Sequence, residues 1–262
     1  MSVAATGVDR IAAAFRAHGK RAALMPYLMG GYPDLEGSTE AGLAAAAAGA
    51  DLIELGVPFS DPLADGPVIH AAATEALARG ATLHGVLRVC ERVAREVPVV
   101  LMVYVNVIVA AGPEAFALRA SAAGASGLIV PDLPHDEADE VRAACDGEGL
   151  ALVPLVAPTT TAERIGQIGA DARGFVYTVS LTGTTGERAE LPPGLPETVA
   201  AVRASTEVPV AVGFGISTPD QARAVAEVAD GVIVGSRVVR AAGEGGASAV
   251  GELVAELAEA MQ

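Results

Sequence analysis

Short apolar runs alternate with alanine-rich amphipathic stretches from one end of this chain to the other. That alternation constrains the fold more than any single motif. Eight runs recur: Leu24–Met29, Asp51–Leu55, Val99–Tyr104, Gly127–Val130, Ala151–Val156, Gly174–Val179, Pro209–Val212 and Gly231–Val234. Each is rich in Val, Leu and Ile and mostly uncharged, the pattern of strands covered on both faces and hence of a parallel sheet. Helical stretches fill the gaps at Leu35–Ala48, Val68–Arg79, Leu83–Glu96, Glu114–Ala123, Asp136–Glu148, Ala162–Ile168, Pro196–Thr206, Pro219–Val228 and Ala247–Ala260. An extra helix is expected over Asp9–His18, and the Gly243–Gly246 patch reads as a loop before the last helix. Start signals stand at Asp65 before Gly-Pro, at Thr82, Asp136 and Thr161, and at Thr218 before Pro219. No linker divides the chain. Residues 1–262 are therefore expected to form one α/β domain, a (β/α)8 TIM barrel with an additional N-terminal helix. The alternative, an open doubly wound sheet, lacks a GxGxxG after its first strand.

Charge narrows the partners. Asp and Glu number 32 against 17 Lys and Arg, a formal net charge of −15, which argues against nucleic acid or an anionic membrane. The longest uncharged stretch, Val97–Pro113, contains Pro98, Tyr104, Asn106 and Gly112 and reads as a buried strand with its following loop, not a membrane span. The first residues carry no basic region followed by an apolar run, so no secretory signal is expected. Two cysteines, Cys90 and Cys145, are too few for a disulfide framework. A cytoplasmic protein is the expectation.

In such a barrel the chemistry sits at the C-terminal ends of the strands. There the sequence reads LIELGVPFSDPLADGPVIHAA, from Leu52 to Ala72. Strand alternation puts Leu52, Glu54 and Gly56 on one face and Ile53 and Leu55 on the other. If the second pair packs against helices, Glu54 points into the barrel, where apolar neighbours raise its pKa toward neutrality and suit it to proton transfer. The bland reading is a structural Glu paired with a buried cation, yet no Lys or Arg lies in the nearby strands. Asp65 reads equally as a helix cap or as a catalytic carboxylate, and Asp61 as a turn residue.

Three glycine-containing loops follow the sixth, seventh and eighth runs: Leu181–Arg188, Gly213–Pro219 and Val234–Arg237. Barrels commonly bind phosphate there through backbone amides. The candidate donors are Gly186, Gly215, Gly235 and Ser236, against a bland reading of tight turns. Tyr27, Met102, Tyr104, Ile129, Tyr177, Phe214 and Ile233 lie on or just after strands. They pack the core or line an apolar pocket for a flat ring. His18, His70, His84 and His135 form no metal-ligand spacing, and no metal site is expected.

The strings ELGVPFSDPLADGP, PYLMGGYPD, VPDLP, GFGIS and VGS, in this order from roughly Gly19 to Gly235, resemble the tryptophan synthase α-subunit family. The resemblance implies a retro-aldol cleavage of indole-3-glycerol phosphate to indole and glyceraldehyde 3-phosphate. It makes Glu54 the general acid–base, Asp65 the stabiliser of the indole nitrogen, and Gly186, Gly215, Gly235 and Ser236 the phosphate cradle. It implies no cofactor in this subunit and a pyridoxal-phosphate β subunit as partner in an αββα complex. The partner surface would include Asp61, Asp132, Pro134 and Thr185. A stand-alone lyase and a non-catalytic scaffold stay open as alternatives.

Overall fold

The computed structural model describes residues 5–17, 19–179, 194–213 and 215–262. Nine parallel strands form one sheet in the order β5-β4-β3-β2-β1-β9-β8-β7-β6. They are β1 (Ala23–Met29), β2 (Ile53–Gly56), β3 (Val99–Met102), β4 (Ala125–Ile129), β5 (Ala151–Val153), β6 (Leu155–Val156), β7 (Val176–Val179), β8 (Val210–Gly213) and β9 (Gly231–Val234). The ninth strand is the fifth apolar run cut in two. Pro154 has no N–H to continue a ladder, so the run pairs with β4 before it and with β7 after it. The Pro154 carbonyl still accepts from Tyr177 N–H at 2.9 Å. The two ends of the sheet order are thus joined by one residue, which closes the barrel as the sequence pattern predicts.

Side chains alternate between two layers. Leu24, Leu28, Ile53, Leu55 and Leu101 pack outward under the helices. Met25, Tyr27, Met29, Leu52, Val100, Met102, Ile129, Val153, Phe175, Tyr177, Ala211 and Ile233 fill the inside. The first helix, α1 (Gly7–Ala17), plugs the N-terminal end of the barrel. Its Ile11 and Phe15 join the inner layer, and Phe15 meets Phe175 at 5.5 Å. Arg10 of α1 donates to the carbonyls of Gly124 at 2.9 Å and Val97 at 3.3 Å. Lys20 pairs with Asp51 at 2.8 Å just before β1 and β2. These contacts cover the N-terminal end of the inner layer.

The helices follow the expected positions with four corrections. Thr82, Thr161 and Thr218 cap α4 (Leu83–Val93), α8 (Ala162–Asp171) and α10 (Pro219–Ala226), the last with a reciprocal bond from Thr218 N–H to the Gln221 side chain. Asp65 caps nothing: α3 (Pro67–Ala78) starts from Gly66 without a side-chain cap bond. Asp136 sits in a 3₁₀ turn, His135–Glu137, ahead of α7 (Asp139–Gly147), because the tighter turn leaves it outside the capping position. The stretch after β3 is helical, α5 (Val105–Ala111), where a loop was expected; Gly112 ends it before Pro113 starts α6 (Pro113–Ala122). The last helix, α11, begins at Ser236 directly after β9 and runs to Ala260, with one non-helical residue, Gly246. The glycine patch is a kink inside this helix and not a loop before it.

Candidate active site

Glu54 lies near the C-terminal end of β2 and faces inward, since Ile53 and Leu55 on either side pack against the helices. It is 4% exposed, and among the described residues neither carboxylate oxygen has a hydrogen-bond partner. Burial pushes its pKa from 4.5 to about 8, and the negative charge of Asp65 adds to the rise. Among the described residues no cation pairs with it, which speaks against a structural Glu held in an ion pair. A buried carboxyl without partners costs stability, and it is held neutral because ionisation there costs more.

Asp65 reaches the same space from the loop between β2 and α3. Its Oδ1 accepts from the Tyr104 hydroxyl at 3.0 Å, and that hydroxyl accepts from Ala64 N–H at 3.1 Å. The Tyr104 ring stacks on Phe59 at 5.2 Å. One tyrosine at the start of α5 thereby ties down both ends of the loop. Burial raises the Asp65 pKa; the Tyr104 hydrogen bond and nearby His70 oppose that rise. The role of Tyr104 as an anchor was missed in the sequence. The available signal was a tyrosine at a strand end, whose buried ring requires a partner for its hydroxyl.

Tyr27, Met102, Ile129, Tyr177 and Ile233 are brought together in the inner layer, all buried. Ile69 of α3 and Val239 of α11 join them from the helices after β2 and β9, a contribution that strand patterning could not reveal. Phe214 lies outside the described residues, as do Gly186, Thr185 and His18.

At the phosphate candidates the two glycines differ. Gly215 has φ +85, so the turn alone accounts for its glycine. Gly235 has a negative φ, and a Cβ there would meet only ordinary contacts with Ile69 at 3.6 Å and Tyr27 at 3.8 Å. Gly235 is the N-cap of α11 and Ser236 its first residue, so their amides stand at the positive end of the helix dipole. Ser236 is buried.

The expected partner surface divides. Asp61 and Pro134 are exposed, and Leu63 beside Asp61 is 81% exposed. Asp132 is half-buried and accepts from Val105 N–H at 2.8 Å, which joins the β4 loop to the start of α5. Cys90 and Cys145 are buried thiols pushed up to about 12. Among the described residues, no helix is long and apolar enough to cross a membrane.

Comparison with known proteins bears on this arrangement. The family model described as tryptophan synthase alpha chain matches residues 13–262. The tryptophan synthase alpha chain of Gloeobacter violaceus is 51% identical over 236 residues, covering 88% of this chain and 86% of that protein. That of Synechococcus elongatus is 47% identical over 259 residues, 98% of this chain and 97% of the relative. Among solved structures, a chain of Mycobacterium tuberculosis tryptophan synthase superposes with a TM-score of 0.90 at 41% identity, covering 96% of this chain and 98% of that one. The alpha chain of Legionella pneumophila gives 0.87 at 37% identity, with 98% and 97% covered.

Proposed function

The chain belongs to the tryptophan synthase alpha chain family, lyases of tryptophan biosynthesis, and from that premise we propose that Glu54 and Asp65 carry its chemistry. The reaction is the retro-aldol cleavage of indole-3-glycerol phosphate. Glu54, neutral below about pH 8, gives its proton to C3 of the indole ring. The ring becomes a cationic indolenine whose charge centres on N1. Asp65, as a carboxylate, stabilises that cation where it develops. The Glu54 carboxylate then takes the proton of the hydroxyl on the adjoining carbon. The C–C bond breaks, its electrons return to the ring, and indole and glyceraldehyde 3-phosphate separate. Glu54 ends as it began, protonated.

The observation that carries this reading is the placement of Glu54, buried, without a hydrogen-bond partner among the described residues and close to a second carboxylate at the C-terminal end of the strands. The flat substrate ring would lie among Tyr27, Met102, Ile129, Tyr177, Phe214 and Ile233. The Gly235 and Ser236 amides at the α11 N-terminus, with Gly215 and Gly186, would hold the phosphate. This explains how an acidic chain binds an anion: the positive potential is local and made by backbone. As an alpha chain it is expected to assemble with a β chain in an αββα complex, pyridoxal phosphate residing in that partner. Asp61, exposed Leu63, Asp132, Pro134 and Thr185 would lie at the contact, in the cytoplasm.

The test is indole release from indole-3-glycerol phosphate, measured with and without a β subunit, for wild type and Glu54→Gln. The variant should lose about 10²–10⁴ in kcat, the scale of a general acid–base. Full activity in the variant would remove Glu54 from the mechanism.

A further inference from the structure

Two tyrosines inside the barrel share an arrangement. Tyr27 of β1 is paired in register with Glu54 of β2, and Met29, two residues on, is paired with Gly56. The Tyr27 ring leans along its strand until the hydroxyl stands over Gly56, where a Cβ would collide with the phenol oxygen and lie 2.7 Å from Cζ. Across the barrel, Tyr177 of β7 is paired with Ala211, and its hydroxyl stands over Gly213 of β8 in the same manner. Both phenols are therefore carried toward the mouth by glycines on the neighbouring strand. Glu54 and Gly56 share a face of β2, so the Tyr27 hydroxyl over Gly56 lies on the mouth side of Glu54, near enough to feel its charge. Among the described residues, neither oxygen of that carboxyl has a hydrogen-bond partner.

We propose that Tyr27 is a positioning residue for Glu54, its phenol donating a hydrogen bond to the Glu54 carboxylate whenever the proton has left. This rests on the reading of Glu54 as the proton carrier. It assigns Gly56 a purpose beyond backbone geometry, since any side chain there would exclude the phenol.

Among the described residues, the titratable groups that face Glu54 are Tyr27 from β1, Asp65 from the β2–α3 loop and Tyr177 from β7. Tyr104 from the start of α5 and His70 of α3 stand behind Asp65. Asp65 disfavours the carboxylate, so a phenol donor is the group in this set that favours it. Tyr27 and Tyr177 are themselves driven well above the ordinary phenol range by burial and by the carboxylates, so both stay protonated and able to donate.

The experiment is a carbon NMR titration of the free protein labelled with ¹³C-carboxyl glutamate, with the Glu54 signal identified by its loss in Glu54→Gln. In Tyr27→Phe the Glu54 midpoint should rise by about one pH unit, a tenfold change in proton affinity. kcat/KM for indole release should fall about tenfold in parallel. Gly56→Ala, which drives the phenol off Gly56 without removing it, should give the same upward shift and serves if Tyr27→Phe does not fold. An unmoved midpoint in a folded variant overturns the proposal even if turnover falls, because a packing role would slow the reaction without touching the titration. The titration needs no substrate. If wild type fails to release indole while the midpoint still moves, it is the lyase reading that fails and the tyrosine–glutamate link that stands.

Discussion

Replacing Glu54 with glutamine should stabilise the protein while abolishing its activity, and the size of the gain should depend on pH in a way the structure dictates. In the unfolded chain this carboxyl ionises at an ordinary value near 4.5; in the folded barrel burial holds the proton until about 8. A group whose folded pKa is raised contributes stability that is fully present below the unfolded value and is lost as pH rises through the folded one. Between those limits wild type loses about 1.4 kcal/mol per pH unit relative to a neutral residue of the same size. The difference reaches a ceiling of about 5 kcal/mol above pH 8, set by the interval between the two values. Glutamine leaves a comparable pair of unpartnered polar atoms and does not ionise, so it isolates the charge. Urea unfolding of both proteins at a series of pH values checks this. The curves should coincide below about pH 4, separate by about 3 kcal/mol at pH 7 and run parallel above about pH 9. A constant difference across the series would refute the reasoning, because the carboxyl would then titrate alike in both states. So would a glutamine variant less stable than wild type at pH 8.

Wild-type kcat/KM should decline above about pH 8 as the Glu54 proton is lost, and a profile flat to about pH 9.5 would show that another group sets the limb. Asp65→Asn should melt near wild type, since Asp65 caps no helix, while kcat/KM falls by about 10²; nearly normal turnover would leave Glu54 as the sole catalytic carboxylate. Tyr104→Phe removes the hydroxyl that bridges Asp65 and Ala64 and should lower kcat/KM about tenfold; an unchanged rate would mean that the loop is held by other contacts. Gly235→Asp places a carboxylate at the α11 N-terminus, and binding of glyceraldehyde 3-phosphate, followed by calorimetry, should weaken by at least about tenfold; unchanged binding would make Gly235 a structural turn only.

The barrel was legible because buried parallel strands carry an unmistakable period. Glu54 was legible because Ile53 and Leu55 fixed its face. The errors fall where local signals compete with tertiary ones. Pro154 looked like part of a run and instead marks where the barrel closes, which only the pairing of β4 and β7 with either half reveals. Asp-Gly-Pro has the composition of a helix start, yet the Asp65 carboxyl is drawn away from its helix by a hydroxyl 39 residues along the chain. The glycines of Gly243–Gly246 suggest a loop, but α11 is packed against α2 (Leu35–Ala47) and continues through them. Of the phosphate candidates, sequence could not separate Gly215, whose φ demands glycine, from Gly235, whose surroundings do not.

The two carboxylates feel each other's charge, and in the proposed mechanism their different partners suit them to different tasks. Glu54 has burial without a donor, and the nearby Asp65 charge pushes it further toward the neutral acid. Asp65 is less buried, accepts from Tyr104 and lies near His70, so the same environment that keeps Glu54 protonated leaves Asp65 the one that ionises. Each state reinforces the other, because an ionised Asp65 raises Glu54, and a neutral Glu54 spares Asp65 a like charge. When the proton moves to the substrate this order inverts for a moment: two carboxylates then face one cationic ring, and the attraction of that ring for both offsets the repulsion between them. The cation therefore stabilises the ionised pair only after transfer, which is when catalysis needs it. Loss of Asp65 would remove the stabilisation and also lower the Glu54 pKa, so its effect on rate should exceed that of any one hydrogen bond in the site.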